Sequence, residues 1–369
     1  MSSIGKLVKL TVWGESHGSM IGGVIDGVDS GIKIDYEKLR AHMKRRSPGK
    51  SNTTLRKESD EVEFVSGILN DTTTGAPLSF VIKNSDHHSK DYTNIYNTPR
   101  PSHADYPATV RYNGFNDING SGHFSGRLTA VINVAGFIAK EILKEHDIYV
   151  FSHLYSLGDI VDERFDDLKF ADYSYLKNRK IEVINDEIID KIDDKIEELR
   201  DRKDSVGSSV ETVVYNLRAG VGDTIFDSIE SRLSQSYFGI GAVKSVEFGL
   251  GKSFDKSNAS VVNDWYYIEN EQIKTKTNYN GGILGGISTG MPIISLVTFK
   301  PPASIGITQD TVDLRSRTNT TLTVEGRHDP SIGIRAVSVM ESITAFVIYD
   351  LLKEYGNGDF KLKSNQNGM

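Results

Sequence analysis

Histidine and arginine residues occur beside glycine or proline in four short stretches of this sequence. The stretches are Gly14-Glu15-Ser16-His17-Gly18, Arg100-Pro101-Ser102-His103-Ala104-Asp105, Gly120-Ser121-Gly122-His123-Phe124-Ser125-Gly126-Arg127 and Gly326-Arg327-His328-Asp329-Pro330. Turns of this composition expose side chains and backbone N–H groups together, as a site for an anion or a cofactor requires. We therefore predict that these turns contribute to a functional site.

A second feature is a run of six basic residues without an acidic one between residues 44 and 57. Its members are Lys44, Arg45, Arg46, Lys50, Arg56 and Lys57. The whole chain has 43 Lys and Arg against 50 Asp and Glu, a net charge of −7, so this run is a local exception. Charges at the end of a helix explain two of the six. Because arginine binds carboxylate and phosphate with paired hydrogen bonds, the run indicates a small polyanionic ligand.

Several other chemistries lack the residues or spacing that they need. The chain has no cysteine, which excludes disulfides and thiolate chemistry, and no His-x-x-x-His or His-x-x-Glu-His pattern, so no metal is expected. No Gly-x-Ser-x-Gly sequence occurs, and Ser16 beside His17 is poorly placed for a hydrolase pair. The acidic balance and the lack of interleaved aromatics argue against nucleic acid. The residues alone favour an enzyme with a cationic, histidine-containing pocket, and a phosphorylated cofactor fits such a pocket.

Length and composition bound the architecture. A chain of 369 residues with 38% apolar residues predicts two or three domains or one large domain. The N-terminal sequence has no long apolar segment, and the longest apolar run, near residues 128–139, is too short to span a membrane. We expect no membrane association and a cytoplasmic location.

An internal repeat organises the chain. Residues 67–78 and 282–293 share the pattern Gly-Ile-Leu-x-x-x-Thr/Ser-Thr-Gly-x-Pro, and each copy continues into an apolar stretch that ends in lysine. Arg127 and Arg335 each precede a long apolar segment with helical spacing. A weaker match pairs Gly31 with Gly222. The pattern predicts two related halves, near residues 1–150 and 205–352, with a site where they meet.

The segment between the halves has a different composition. We predict a charged helical connection over residues 160–204, whose clearest part is an amphipathic helix from Asp186 to Lys203. Its charged face is interpreted as solvated, with a lid or a subunit contact as the alternative. Asp35 is predicted to cap a helix that ends before Pro48. The polar tail, residues 357–369, is predicted to be disordered.

At these motifs the sequence resembles the chorismate synthase family. The resemblance rests on GESHG, RPSHAD, the glycine-rich block that ends in Arg127, GGILGGISTG (281–290), KPPAS (300–304) and GRHDP, and it covers about residues 5–352. It implies one catalytic domain over residues 1–352 with an α+β fold. In that fold, central helices are sandwiched between antiparallel sheets with internal pseudo-twofold duplication. It also implies a homotetramer.

The resemblance implies a lyase reaction of the shikimate pathway to aromatic amino acids. The enzyme would convert 5-enolpyruvylshikimate 3-phosphate, a phosphorylated dicarboxylate, to chorismate by anti-1,4 elimination of phosphate. The reaction needs reduced FMN although it has no net redox change, and FAD and NADP are further cofactors that the resemblance suggests. The reductant would be NADPH bound by the protein itself or a separate flavin reductase. A flavin-dependent oxidoreductase and a non-enzymatic anion-binding module remain the alternatives.

The resemblance also implies residue roles. The catalytic residues would be His17, His103 and Asp329. The substrate-binding residues would be Ser16, Arg45, Arg46, Arg56, Arg111 and Arg127. The cofactor-binding residues would be Arg46, His123, Phe124, Ser125, Ala242, Gly285, Lys300, Pro301, Pro302, Ala303, Ser304 and Arg327. His123 stands where many family members have an arginine, and the basic run is one residue shorter near Asn52.

Overall fold

The computed structural model describes residues 2–47, 60–84, 95–325 and 329–356. Its helices are α1 (Tyr36–Arg46), α2 (Asp105–Arg111), α3 (Thr129–Glu145), α4 (Ile189–Asp201), α5 (Ile229–Phe238), α6 (Ala259–Val262) and α7 (Gly333–Tyr355). The predicted tail, residues 357–369, lies outside the described residues. None of the helices in the described ranges is long and apolar enough to cross a membrane.

The N-terminal part of the chain forms an antiparallel sheet. Its strands and the small hairpin beside it are β1 (Ser3–Ile4), β2 (Lys9–Gly14), β3 (Met20–Asp26), β4 (Val62–Ser66), β5 (Ile68–Leu69), β6 (Thr72–Thr73) and β7 (Leu78–Lys83). The sheet has the order β1-β2-β3-β7-β4. Leu78, Phe80 and Ile82 alternate with more exposed residues along β7, so one face of this strand packs into the core.

A second antiparallel sheet follows. The remaining strands are β8 (Tyr149–Leu157), β9 (Ile160–Val161), β10 (Ser208–Tyr215), β11 (Val243–Phe248), β12 (Tyr266–Glu269), β13 (Gln272–Thr275), β14 (Ile283–Leu284), β15 (Ile287–Ser288), β16 (Ile293–Phe299), β17 (Gln309–Asp313) and β18 (Thr318–Leu322). The sheet has the order β11-β16-β10-β8-β9. Every residue of β10 is buried, which is typical of a strand covered on both faces. Because β8 begins at Tyr149, this sheet includes chain before residue 205, where the second half was predicted to begin.

The two copies of the internal repeat fold alike. Each forms a hairpin of two-residue strands, β5 with β6 and β14 with β15, and then enters a sheet strand. The Gly31 N–H donates to the Thr73 carbonyl over 2.8 Å, and the Gly220 N–H donates to the Ser288 carbonyl over 2.9 Å. The hydrogen bonds therefore match Gly31 with Gly220, two residues before the position predicted from the sequence.

Helices α3 and α7 pack against each other, and a glycine sets their distance. A Cβ atom on Gly136 would lie 2.2 Å from the Cβ of Ser342, so only glycine permits this approach. Helix α3 also contacts β2 and β3 of the first sheet and β8 of the second, and α7 contacts β8 and β10. Both helices were predicted from their apolar spacing, and that prediction is confirmed.

Of two further predictions, one is confirmed and the other is partly wrong. Helix α1 begins after Asp35, whose carboxylate accepts from the N–H groups of Glu37 and Lys38, and ends at Arg46 as predicted. The predicted helical connection over residues 160–204 is wrong for its first part. Strand β9 and mainly irregular chain precede α4, which supplies most of the predicted amphipathic helix. The apolar face of α4, with Ile192, Ile196 and Leu199, is buried as the spacing predicts.

Candidate active site

A cavity of about 500 Å³ lies between four connecting segments, residues 100–104, 120–126, 240–242 and 300–304. The C-terminal end of β16 and the N-terminal end of α7 complete its lining. It brings together many residues that the sequence analysis selected. These are Arg46, His103, Phe124, Ser125, Arg127, Ala242, Lys300, Pro301, Pro302, Ala303, Ser304 and Asp329. Its size is that of a site for a small organic ligand.

Two arginines of the cavity share one buried carboxylate. The Arg46 guanidinium donates to Asp60 Oδ2 over 3.2 Å and to the Gly126 carbonyl over 3.2 Å. Arg127 donates to Asp60 Oδ1 and, through Nε, to Asn84 Oδ1 over 2.9 Å. Burial alone would raise the pKa of Asp60, but the two guanidinium charges outweigh burial and lower it. Asp60 therefore stays ionised and holds both cations at the cavity wall.

A second carboxylate, Asp329, lies at the N-terminal end of α7. Arg335, on the first turn of that helix, donates to Asp329 Oδ2 over 2.9 Å. The Nε of the same side chain donates to the backbone carbonyl of Arg46 over 3.1 Å. Arg335 thus ties the acidic side of the cavity to the end of α1.

The RPSHAD turn forms a third cluster. His103 Nδ1 lies 2.6 Å from Asp105 Oδ1, and His103 Nε2 lies 3.2 Å from Ser121 Oγ. Arg100 donates twice to Asp105 from its guanidinium, over 2.8 Å each, and once to Ser304 Oγ over 2.8 Å. Burial would raise the pKa of Asp105, but the hydrogen bonds from Arg100 and His103 lower it well below the usual range.

The KPPAS segment supplies the remaining cation. Lys300 Nζ donates to the carbonyl of Ser102 over 2.6 Å, and the Lys300 N–H donates to the carbonyl of Ala242 over 2.9 Å. Burial, followed by the nearby charge of Lys244, lowers the pKa of Lys300. Ala242 has a φ of +70°, an unusual conformation for alanine, and it places its carbonyl against this segment.

His17 and Ser16 lie behind the glycine-rich turn that lines the cavity. The Ser16 N–H donates to the Gly122 carbonyl over 3.1 Å. A Cβ on Gly120, whose φ is +57°, would lie 2.1 Å from His17 Nδ1 and 2.8 Å from Ser16 Oγ. The GESHG turn therefore supports the wall of the cavity, and the backbone of Gly120, which lines the cavity, separates His17 and Ser16 from it.

Four selected residues lie elsewhere among the described ranges. The guanidinium of Arg45 is buried against Glu182 and Glu341, at 2.6 Å from each. Arg111 is exposed at the end of α2, and Gly285 occupies the tight turn between β14 and β15. His123 is exposed and packs against Tyr112 and Phe124. Arg56 and Arg327 lie outside the described residues.

Five charged residues of this region were not predicted as site residues from the sequence: Asp60, Arg100, Asp105, Glu325 and Arg335. Asp60 follows the basic run without any motif, and Arg335 was read only as the start of a helix. Arg100 stood in the RPSHAD block but was assigned no role, although its place beside His103 was a usable signal. Across the described residues, no group of three or more acidic, histidine or cysteine side chains is arranged to hold a metal ion.

Comparison with known proteins gives one consistent family. The family model for chorismate synthase matches residues 8–352. The chorismate synthase of Pyrococcus abyssi is 41% identical over 348 residues, which cover 94% of this chain and 96% of that protein. The chorismate synthase of Dehalococcoides mccartyi is 40% identical over 358 residues, covering 96% and 97%. A chorismate synthase crystal structure matches with a TM-score of 0.74 at 24% identity, covering 96% and 94% of the two chains, and supports the mixed helix-and-sheet fold.

Proposed function

This chain belongs to the chorismate synthase family and forms chorismate by eliminating phosphate from 5-enolpyruvylshikimate 3-phosphate, and we propose that the cavity beside His103 is where it does so. The single observation that carries this assignment is the convergence of five cationic side chains on one cavity that also holds a histidine. The cations are Arg46, Arg100, Arg127, Lys300 and Arg335.

The charges of the cavity suit the substrate. The substrate has two carboxylates and a phosphate, and guanidinium groups bind such oxygens with paired hydrogen bonds. Arg46 and Arg127 are held in place by Asp60 before any ligand arrives, so little side-chain entropy is lost on binding. Cations already in place also stabilise the negative charge that grows on a departing phosphate.

The lining is compatible with a flavin. Gly126 and Gly241 line the cavity, and a Cβ on either would project into open space. Beside them lie Ile240, Phe299 and Val339, apolar surface for a flat ring. Phe124, Ser125, Ala242 and residues 300–304 would hold reduced FMN. The bound flavin would supply electron density to the reacting ring without net redox change.

Two groups would handle protons. His103 lies at the cavity wall with Nε2 facing Ser121, where an imidazole can act as a proton donor or acceptor. Asp329, held by Arg335, also lines the cavity. Its carboxylate would accept the hydrogen that the substrate ring loses. A second proposed acid, His17, lies behind the backbone of Gly120 and not on the cavity lining, so its proposed proton transfer needs a movement of this turn.

The same family membership supports proposals about the whole protein. We infer that α3 and α7 are the central layer between the two antiparallel sheets. We also infer a pseudo-twofold duplication, because the neighbours β3-β7-β4 of one sheet correspond to β10-β16-β11 of the other. We also propose a homotetramer, the assembly that the family resemblance implies. Trp265, Tyr266 and Ile268, exposed around the β12–β13 hairpin, offer apolar surface for contacts between copies. The absence of cysteine suits a reducing compartment, and we place the protein in the cytoplasm.

The test is an anaerobic assay of chorismate formation with photoreduced FMN, with and without NADPH. We expect turnover with photoreduced FMN alone, with the flavin still reduced at the end. Flavin oxidised in proportion to product would instead indicate an oxidoreductase. Binding of the phosphate ester without turnover would indicate an anion-binding module. Activity with oxidised FMN and NADPH would show that the protein reduces its own flavin, and activity only with an added reductase would show that it does not.

A further inference from the structure

Asp105 is a buried carboxylate to which the family resemblance assigned no role. It is the first residue of α2, and its side chain is about one-tenth exposed. Oδ1 accepts from the Arg100 guanidinium and contacts His103 Nδ1, while Oδ2 accepts from the Arg100 backbone N–H over 3.0 Å and from Arg100 Nε. One carboxylate thus holds two side chains of the cavity wall.

The contact with His103 has a chemical consequence. An ionised carboxylate can only accept hydrogen bonds, and the pKa of Asp105 is lowered, so it is ionised. His103 Nδ1 lies 2.6 Å from Asp105 Oδ1 and 3.1 Å from Arg100 Nη2, which can only donate. The contact with the ionised carboxylate is the shorter one and would be repulsive without a hydrogen between the two atoms, so we place the hydrogen on Nδ1. In the neutral ring this leaves Nε2 as the basic nitrogen, directed toward Ser121 and the cavity.

We propose that Asp105 is a positioning residue that fixes the tautomer of His103 and the orientation of Arg100. Nε2 of His103 then exchanges a proton with the bound molecules, and Arg100 presents its outer N–H groups to Ser304 and Ser121. This inference rests on the proposed role of His103. The Nδ1–H tautomer of His103 that it predicts can be measured without turnover.

The chain contains a matched pair for comparison. His153 Nδ1 lies 2.9 Å from Asp162 Oδ2, and Asp162 also accepts from the backbone N–H groups of Ile184 and Asn185. Both residues are buried and neither lines the cavity. Asp162→Asn therefore imposes the same kind of loss, a buried carboxylate beside an imidazole, away from the proposed reaction.

The experiment combines nitrogen-15 NMR of His103 in the full-length protein, assigned by difference from His103→Gln, with steady-state kinetics under excess reduced FMN. In the wild type at alkaline pH we expect the Nδ1–H tautomer, and in Asp105→Asn a shift toward Nε2–H. We expect kcat of Asp105→Asn to fall about tenfold or more, with KM changed far less. Asp162→Asn should lower the melting temperature and leave kcat unchanged.

Two results would overturn the inference. One is the Nε2–H tautomer of His103 in the wild type. This measurement needs no variant, so it decides the question even if Asp105→Asn does not fold. The other is a folded Asp105→Asn protein with wild-type kcat. If the wild type makes no chorismate at all, the proposed function fails, whereas the tautomer measurement still decides the role of Asp105.

Discussion

At the scale of single residues, the cavity uses paired ions rather than isolated charges. Arg46, Arg127 and Arg335 each contact a carboxylate that keeps them in place. A cation held in this way binds an anion without first losing side-chain freedom, and its partner offsets the cost of burying the charge. The arrangement predicts that the affinity for the substrate depends on the positions of the guanidinium groups as well as on their charge.

The first prediction concerns Arg46. Arg46→Lys keeps the positive charge but removes the planar donors that reach Asp60 and Gly126. We expect KM for the substrate to rise about 10- to 100-fold, equivalent to roughly 1.5–3 kcal/mol for a charged hydrogen-bond contact, with a smaller change in kcat. Arg179→Lys is the control, because Arg179 also donates to backbone carbonyls but lies outside the cavity. An unchanged KM in folded Arg46→Lys would remove Arg46 from the binding site.

The second prediction concerns His103 and His17. Replacing either by alanine should lower turnover about 10²- to 10⁴-fold if it transfers a proton, while substrate affinity changes little because the arginines hold the anion. Measuring turnover and melting temperature on the same preparations separates catalysis from folding. His146→Ala, at an exposed position after α3, should alter neither. Near-full turnover of both variants under excess reduced FMN would show that neither histidine is a catalytic acid.

At the scale of elements, the sequence predicted what is decided locally. Helices α3 and α7 follow from apolar spacing, and α1 from the Asp35 cap, because those signals lie within the element. The partners of the cavity arginines do not follow from signals within one element. Arg127 meets Asp60 across 67 residues, and Arg335 meets the Arg46 carbonyl across 289.

Only the packing of distant segments creates such contacts, so no local spacing could reveal Asp60 or Arg335. The same reason explains Arg45. Its neighbour in the basic run enters the cavity, but a one-residue step turns a helical side chain by about 100°, and Arg45 instead faces Glu182 and Glu341. Helical geometry thus separated two arginines that the motif had grouped.

The third prediction tests the glycine-rich turn as an element. Gly120→Ala adds a methyl group 2.1 Å from His17 Nδ1 and forces alanine to a φ of +57°. Gly114→Ala is the matched control, because Gly114 has a φ of +77° and open space around it. Both variants should lose about 1–2 kcal/mol of stability from the left-handed backbone, but only Gly120→Ala should lose at least tenfold in turnover. Equal turnover in the two variants would show that the position of His17 is unimportant.

At the scale of the whole molecule, a buried charged cluster joins three helices. Arg45 and His42 come from α1, Lys140 from α3 and Glu341 from α7. Burial would raise the pKa of Glu341, but Arg45 and Lys140 outweigh it and lower that pKa. Removing one member leaves another charge uncompensated, so the cluster makes the packing of these helices interdependent.

His42 lies at the edge of this cluster and gives the last prediction. Its Nε2 is 3.0 Å from Ser342 Oγ, and its ring packs 5.9 Å from that of Phe137. Burial, followed by the charges of Lys140 and Arg45, lowers the pKa of His42 well below 6.5. The unfolded chain therefore binds a proton below pH 6.5 that the folded protein does not. The contribution of His42 to stability is lost as the pH falls, at up to about 1.4 kcal/mol per pH unit.

Urea unfolding over a series of pH values measures this contribution. From pH 6.5 downward, the free energy of unfolding should fall less steeply in His42→Gln than in the wild type, because glutamine can still bond to Ser342 but does not titrate. Ser342→Ala is the control: it removes the hydroxyl partner, lowers stability at every pH and keeps the steeper slope. Identical slopes in wild type and His42→Gln would mean that His42 binds its proton equally well in the folded and the unfolded protein, so that burial does not lower its pKa.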